Sequence, residues 1–119
     1  MYRTVKIGEK DINLLANGAT PIRYRMVFGR DILSELQKAD QDGGLLASSI
    51  AELAFIMAMS ADDSVDMNKL NVEKYVEWLE QFEAFDITMA SEDIIDVYMG
   101  NTKTTSEIKK KANGKASGS

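Results

Sequence analysis

The chain has 119 residues, 45% hydrophobic and 28% charged, which suits one folded domain around a single modest core and excludes a wholly disordered protein. It contains neither cysteine nor histidine, which excludes disulfides, thiolate and imidazole metal sites, a cysteine nucleophile and a Ser-His-Asp triad. The net charge of −5 is sorted: residues 1–30 hold six basic and two acidic side chains, residues 31–100 three basic and sixteen acidic, and residues 101–119 five lysines and Glu107.

Residues 2–7 alternate polar with β-branched or aromatic side chains, Gly8 to Asp11 read as a turn, and Ile12, Leu14 and Ala16 resume the period of two. This predicts a β-hairpin over about residues 2–16, followed by a break at Asn17-Gly18. Thr20-Pro21 then starts a helix, the threonine as cap and the proline at the first helical position, with Ile22, Met26 and Val27 facing inward. Gly29 either ends or kinks it. Arg30 to about Ala39 form a second helical stretch through Ile32, Leu33 and Leu36, closed by a loop at Asp40 to Gly44.

Residues 45–59 are the most apolar segment, with Leu46, Ile50, Leu53 and Met57 stacked on one side and Ser48, Ser49 and Glu52 keeping an early face polar. Too short to span a bilayer comfortably, the segment is expected to be the buried central helix. A polar connector over residues 60–66 leads to an amphipathic helix at about 72–85. Its core side is Val72, Tyr75, Val76, Leu79 and Phe82, and its outer side Glu73, Glu77 and Glu80. A last helix starts near Ser91, where Glu92 and Asp93 suit the N-terminal dipole, and stops at Gly100. Residues 101–119 contain one large apolar residue, Ile108, which predicts a flexible tail. The expected fold is mainly α: a small helical domain of four to five helices over residues 1–100, an N-terminal β-hairpin and a disordered basic C-terminal tail.

Few residues suggest chemistry. Asp62, Ser64, Asp66, Asn68 and Glu73 match alternate positions of a calcium loop, but Met67 replaces the turn glycine and Lys69 the aliphatic residue of that template, so an acidic loop is the simpler reading. The carboxylate pairs Asp62/Asp63, Glu77/Glu80 and Asp93/Asp96 have the spacing of outward faces, and none is visibly placed inside as acid–base chemistry requires. No metal, cofactor or catalytic residue is expected, and an enzyme is disfavoured. Arg23, Arg25 and Arg30 flank Tyr24 and Phe28, but the acidic middle repels nucleic acid and anionic membrane. Carboxylates of the same chain or of a neighbouring subunit are their expected partners. Six of the seven methionines, Met26, Met57, Met59, Met67, Met89 and Met99, are spread through helical segments beside Trp78, Phe82 and Phe85. Such surfaces are core by default and otherwise suit repacking around an apolar or coiled-coil segment.

The stretch Asn17-Gly-Ala-Thr-Pro-Ile-Arg-Tyr-Arg-Met-Val-Phe-Gly-Arg-Asp-Ile-Leu33 resembles the opening of tail assembly chaperones of long-tailed phages and prophages of Gram-positive bacteria. The hairpin before it, the run Leu53-Ala-Phe-Ile-Met-Ala58 and Trp78-Leu-Glu-Gln-Phe82 fit the same pattern, so the likeness spans about residues 3–100. The resemblance implies a non-catalytic protein of the host cytoplasm, absent from the mature virion. It would bind the tape measure protein, keep it soluble and recruit tail tube protein around it. It also implies a longer product made by ribosomal frameshifting, for which Lys109, Lys110 and Lys111 mark the expected slippery region. Arg23, Arg25 or Arg30 is expected to meet an acidic helix face of a second copy, giving a homo-oligomer, and Trp78, Phe82 and Phe85 to meet a partner. The alternatives are a structural tail-completion or connector protein and a small acidic regulator of a host protein.

Overall fold

The computed structural model describes residues 1–41 and 47–100. The expected loop closing at Gly44, the tail and Lys109, Lys110 and Lys111 lie outside the described residues.

Strand β1 (Tyr2–Ile7) pairs antiparallel with β2 (Lys10–Leu15), Tyr2 opposite Leu15 and Ile7 opposite Lys10. This register puts Val5, Ile7, Ile12 and Leu14 on one face, the face turned to the core, as a period of two requires. The connection is tighter than expected. It is the two residues Gly8-Glu9, with Gly8 at φ 63° and Glu9 not at positive φ, the arrangement of a II′ turn. At the open end the Ala16 N–H donates to the Met1 carbonyl at 2.8 Å.

Helix α1 (Thr20–Phe28) begins without a side-chain cap, Thr20 being its first residue and not the residue before it. The Thr20 hydroxyl instead accepts from the Asn17 N–H at 2.9 Å, and the Asn17 carboxamide oxygen accepts from the Ala19 N–H at 2.8 Å. The side facing the core also differs from expectation. Ile22 and Met26 are 60% and 70% exposed, whereas Thr20 and Tyr24 are buried and Val27 and Phe28 pack on the core. Polar residues face inward here because each finds a partner there, which removes the usual cost of burial. Gly29, at φ 73°, ends the helix in the left-handed conformation, and the Asp31 carboxylate accepts from the Leu33 N–H at 3.1 Å as α2 (Ile32–Gln41) starts. The segment is therefore two helices.

Helix α3 (Ala47–Ser60) is buried continuously from Ser49 to Ala58. It touches β2 and, once the rest of the chain is in place, every other helix of the described residues. After a 3-10 turn at Met67–Lys69 capped by Asp66, helix α4 (Val72–Leu79) starts at the Asn71 side chain, which accepts from the Lys74 N–H. It is shorter than expected, and Val72 and Val76 face solvent while Tyr75 is buried. A turn over residues 80–85 precedes the one-turn helix α5 (Asp86–Met89), and α6 (Ser91–Met99) ends at Gly100 at φ 68°, as the sequence predicts. Among the described residues six helices thus stand where four to five are expected, the extra one coming from the break after Leu79. No helix of the described residues is long and apolar enough to cross a membrane.

Candidate functional site

The helices are joined by a polar cluster inside the apolar core. Glu52, in the middle of α3, is 7% exposed. One of its oxygens accepts from the Tyr24 hydroxyl at 2.7 Å and the other from the Arg30 guanidinium at 2.5 Å. Arg30 also donates to Glu35 of α2 at 3.3 Å, and Glu35 accepts from the Ser49 hydroxyl at 3.1 Å and from Lys38 at 3.3 Å. Burial pushes the Tyr24 hydroxyl far above the ordinary phenol range, and its bond to Glu52 adds to this. The same Glu52 contact strengthens the proton hold of Arg30, and the bond from Lys38 keeps the Glu35 carboxyl below its ordinary range. No buried side-chain nitrogen or oxygen of the described residues lacks a partner. Through Tyr24 to Glu52 and Glu35 to Ser49 the cluster fastens α1, α2 and α3 together.

One sequence expectation changes here: Glu52 and Ser49 lie inside, not on a solvent face, so the described residues do contain buried carboxylates. Arg30 pairs with carboxylates of its own chain, one of the two kinds of partner expected for it. Arg23 and Arg25 are not brought to it: neither forms an ion pair among the described residues, whereas Arg3 pairs with Asp93 at 3.6 Å. Of the cluster, sequence reasoning singled out only Arg30. A carboxylate inside the most apolar stretch of the chain was the available signal, since such a group must find a cation or hydroxyl when the helix is buried.

Aromatic rings run from this cluster to the surface. Phe28 meets Tyr75 at 5.1 Å, Tyr75 meets Phe55 at 5.5 Å, Phe55 meets Trp78 at 5.8 Å, and Trp78 meets Phe82 edge-on at 5.0 Å. Burial pushes the Tyr75 hydroxyl up to about 12. Trp78 also lines an open groove of about 460 Å³ with Ile12, Ala58 and Met59, whose more exposed neighbours are Asn13, Asp62, Asp63 and Gln81. Of the expected partner residues, Trp78 and Phe82 are therefore together and half-buried. Phe85 stands apart from the stacked rings, 74% exposed, and Met89 one turn later is 83% exposed. The sequence reading named Phe85 without Met89 as its companion, because α5 was not foreseen.

In the connector, Asp62 and Asp66 of the calcium-like spacing each serve their own turn. Asp62 accepts from the backbone and hydroxyl of Ser64, which holds its carboxyl below the ordinary range, and Asp66 accepts from the Asn68 N–H at 3.0 Å. No group of three acidic side chains among the described residues is placed to hold a metal ion. No family model, curated protein or solved structure matches the chain.

Proposed function

We propose that this chain is a tail assembly chaperone. In this reading it binds the helical tape measure protein of a long-tailed phage in the host cytoplasm, keeps it soluble and helps recruit tail tube protein around it. It then leaves before the virion is complete. The role is one of binding and not of catalysis.

The observation that carries the reading is the pair Phe85 and Met89, two large apolar side chains at the start and end of the single turn of α5, Phe85 just before it and Met89 its last residue, that are left open to water. Isolated exposed apolar residues are ordinary, but a bulky pair one helical turn apart suits an apolar helix as client. The groove beside Trp78 supports the same reading, with adaptable Met59 and aromatic surface under a more polar edge. The segment on which the family resemblance rests supplies α1, the Gly29 stop and the Arg30 anchor. It supports the fold, and leaves client contact to α4, α5 and the groove.

Co-expression with a tape measure protein of a long-tailed phage tests the proposal. The client is expected to become soluble and to co-purify with this chain, and purified virions are expected to lack the chain. A client that stays insoluble with both this chain and any longer frameshift product overturns the reading. Persistence in purified particles supports a structural tail component instead.

A further inference from the structure

We propose that copies of this chain associate by docking α1 of one copy on α4 of another. This inference is independent of the client and does not rest on the chaperone reading. Each helix carries an exposed apolar pair one turn apart: Ile22 and Met26 on α1, Val72 and Val76 on α4. Residues four apart lie above one another on a helix, so each pair forms a short ridge pointing away from the packed side.

The charges beside the two ridges are opposite and unspent. On α1, Arg23 and Arg25 lie on either side of the Ile22–Met26 ridge, and neither forms an ion pair among the described residues. On α4, Glu73 and Glu77, with Glu80 just past its end, run along one side of the Val72–Val76 ridge and are likewise without an ion pair among the described residues. Lys74 is the only basic residue of α4. Pairing α1 with α1 would set arginines against arginines, and pairing α4 with α4 would set glutamates against glutamates. Docking α1 on α4 alone covers both ridges and neutralises both rows, and such complementarity selects the partner and orientation more than it adds affinity. The occupant is therefore a second copy of this chain.

The test is sedimentation of the purified full chain at about 100 µM in low and high salt. Association is expected at low salt and is expected to weaken as salt screens the pairs. The double variant Arg23→Glu/Arg25→Glu is expected to weaken association at least about tenfold, as is Glu73→Arg/Glu77→Arg. An equimolar mixture of the two variants is expected to restore it, because each then presents the complement of the other. Arg25, Glu73 and Glu77 are exposed and Arg23 is half-buried, and unchanged circular dichroism and melting establish that the variants are folded. A wild-type chain that is monomeric under these conditions overturns the proposal. So does association that survives either reversal, or a mixture that fails to re-associate.

Discussion

Glu52 is the residue on which the interior turns, because Tyr24 of α1 and Arg30 of the link between α1 and α2 converge on its two oxygens. Breaking one side of a buried pair leaves the other charge desolvated and unmatched, which costs more than the pair contributes when intact. Arg30→Leu is therefore expected to destabilise the protein by about 2–4 kcal/mol. The double variant Arg30→Leu/Glu52→Leu is expected to cost less than Arg30→Leu alone, as read by chemical denaturation. Equal or greater loss in the double variant would mean that the cluster is held by something other than this pair. The tyrosines set a pH limit at the alkaline end. Tyr24 and Tyr75 both titrate above their ordinary value of 10, so as pH rises past 10 the unfolded chain loses protons that the folded chain keeps. Stability is thus full below pH 10 and falls between pH 10 and 12. Glu35 acts with the opposite sign, its lowered pKa giving stability that is present above the ordinary carboxylate range and is lost as pH falls below it. Denaturation midpoints measured from pH 3 to pH 12 are expected to trace this plateau, with tyrosine absorbance delayed until unfolding at the alkaline edge.

At the scale of elements, two glycines with similar positive φ are expected to respond differently to alanine. Gly29 has open space around an added Cβ, so Gly29→Ala carries only the left-handed strain, about 1 kcal/mol. A Cβ on Gly8 would lie 2.7 Å from the Asp86 carboxyl carbon, and that carboxylate also accepts from the Glu83 N–H at 2.8 Å. Gly8→Ala must therefore displace the start of α5 as well as strain the turn, and is expected to cost about 2–3 kcal/mol. Asp86→Ala in the Gly8→Ala background should recover part of that loss, as measured by thermal melting. The elements that the sequence made legible are those with local signals: the alternation of β1 and β2, the unbroken apolar run of α3 and the glycine that stops α6. The orientation of α1 was not legible, because the burial of Tyr24 depends on an acceptor 28 residues away. The early end of α4 was hidden too. Glu80, Gln81, Glu83 and Ala84 favour helix, with neither glycine nor proline to mark the break.

For the molecule as a whole, the interior and the surface have separate tasks. Polar groups inside are paired, α3 is enclosed on every side, and the unspent features are all outside: the Phe85–Met89 pair, the groove beside Trp78, and the two oppositely charged ridges of α1 and α4. Of the client-binding candidates, Trp78, Phe82 and Phe85 were readable as residue types in the sequence. Their division into two half-buried rings and one exposed ring was not, since it follows from where α4 stops. The groove was not legible either, because it joins Ile12 of the hairpin to Met59 of α3 and Trp78 of α4, segments far apart in the chain. The charge sorting seen along the sequence survives folding only in part. Arg30, though exposed itself, pairs with the buried Glu52 and Glu35, while Arg23, Arg25 and the glutamates along α4 form no ion pair among the described residues.

The most direct test is a binding titration of a tape measure helix against this chain and against its Phe85→Ser/Met89→Ser variant. Both side chains are exposed, so the variant is expected to fold normally, and Met99→Ser on α6 serves as an exposed methionine control. The account predicts saturable binding by the wild-type chain and by the Met99→Ser control, weakened about tenfold or more in the double variant through loss of apolar burial. Equal binding by the double variant, or no binding by the wild-type chain, would contradict it.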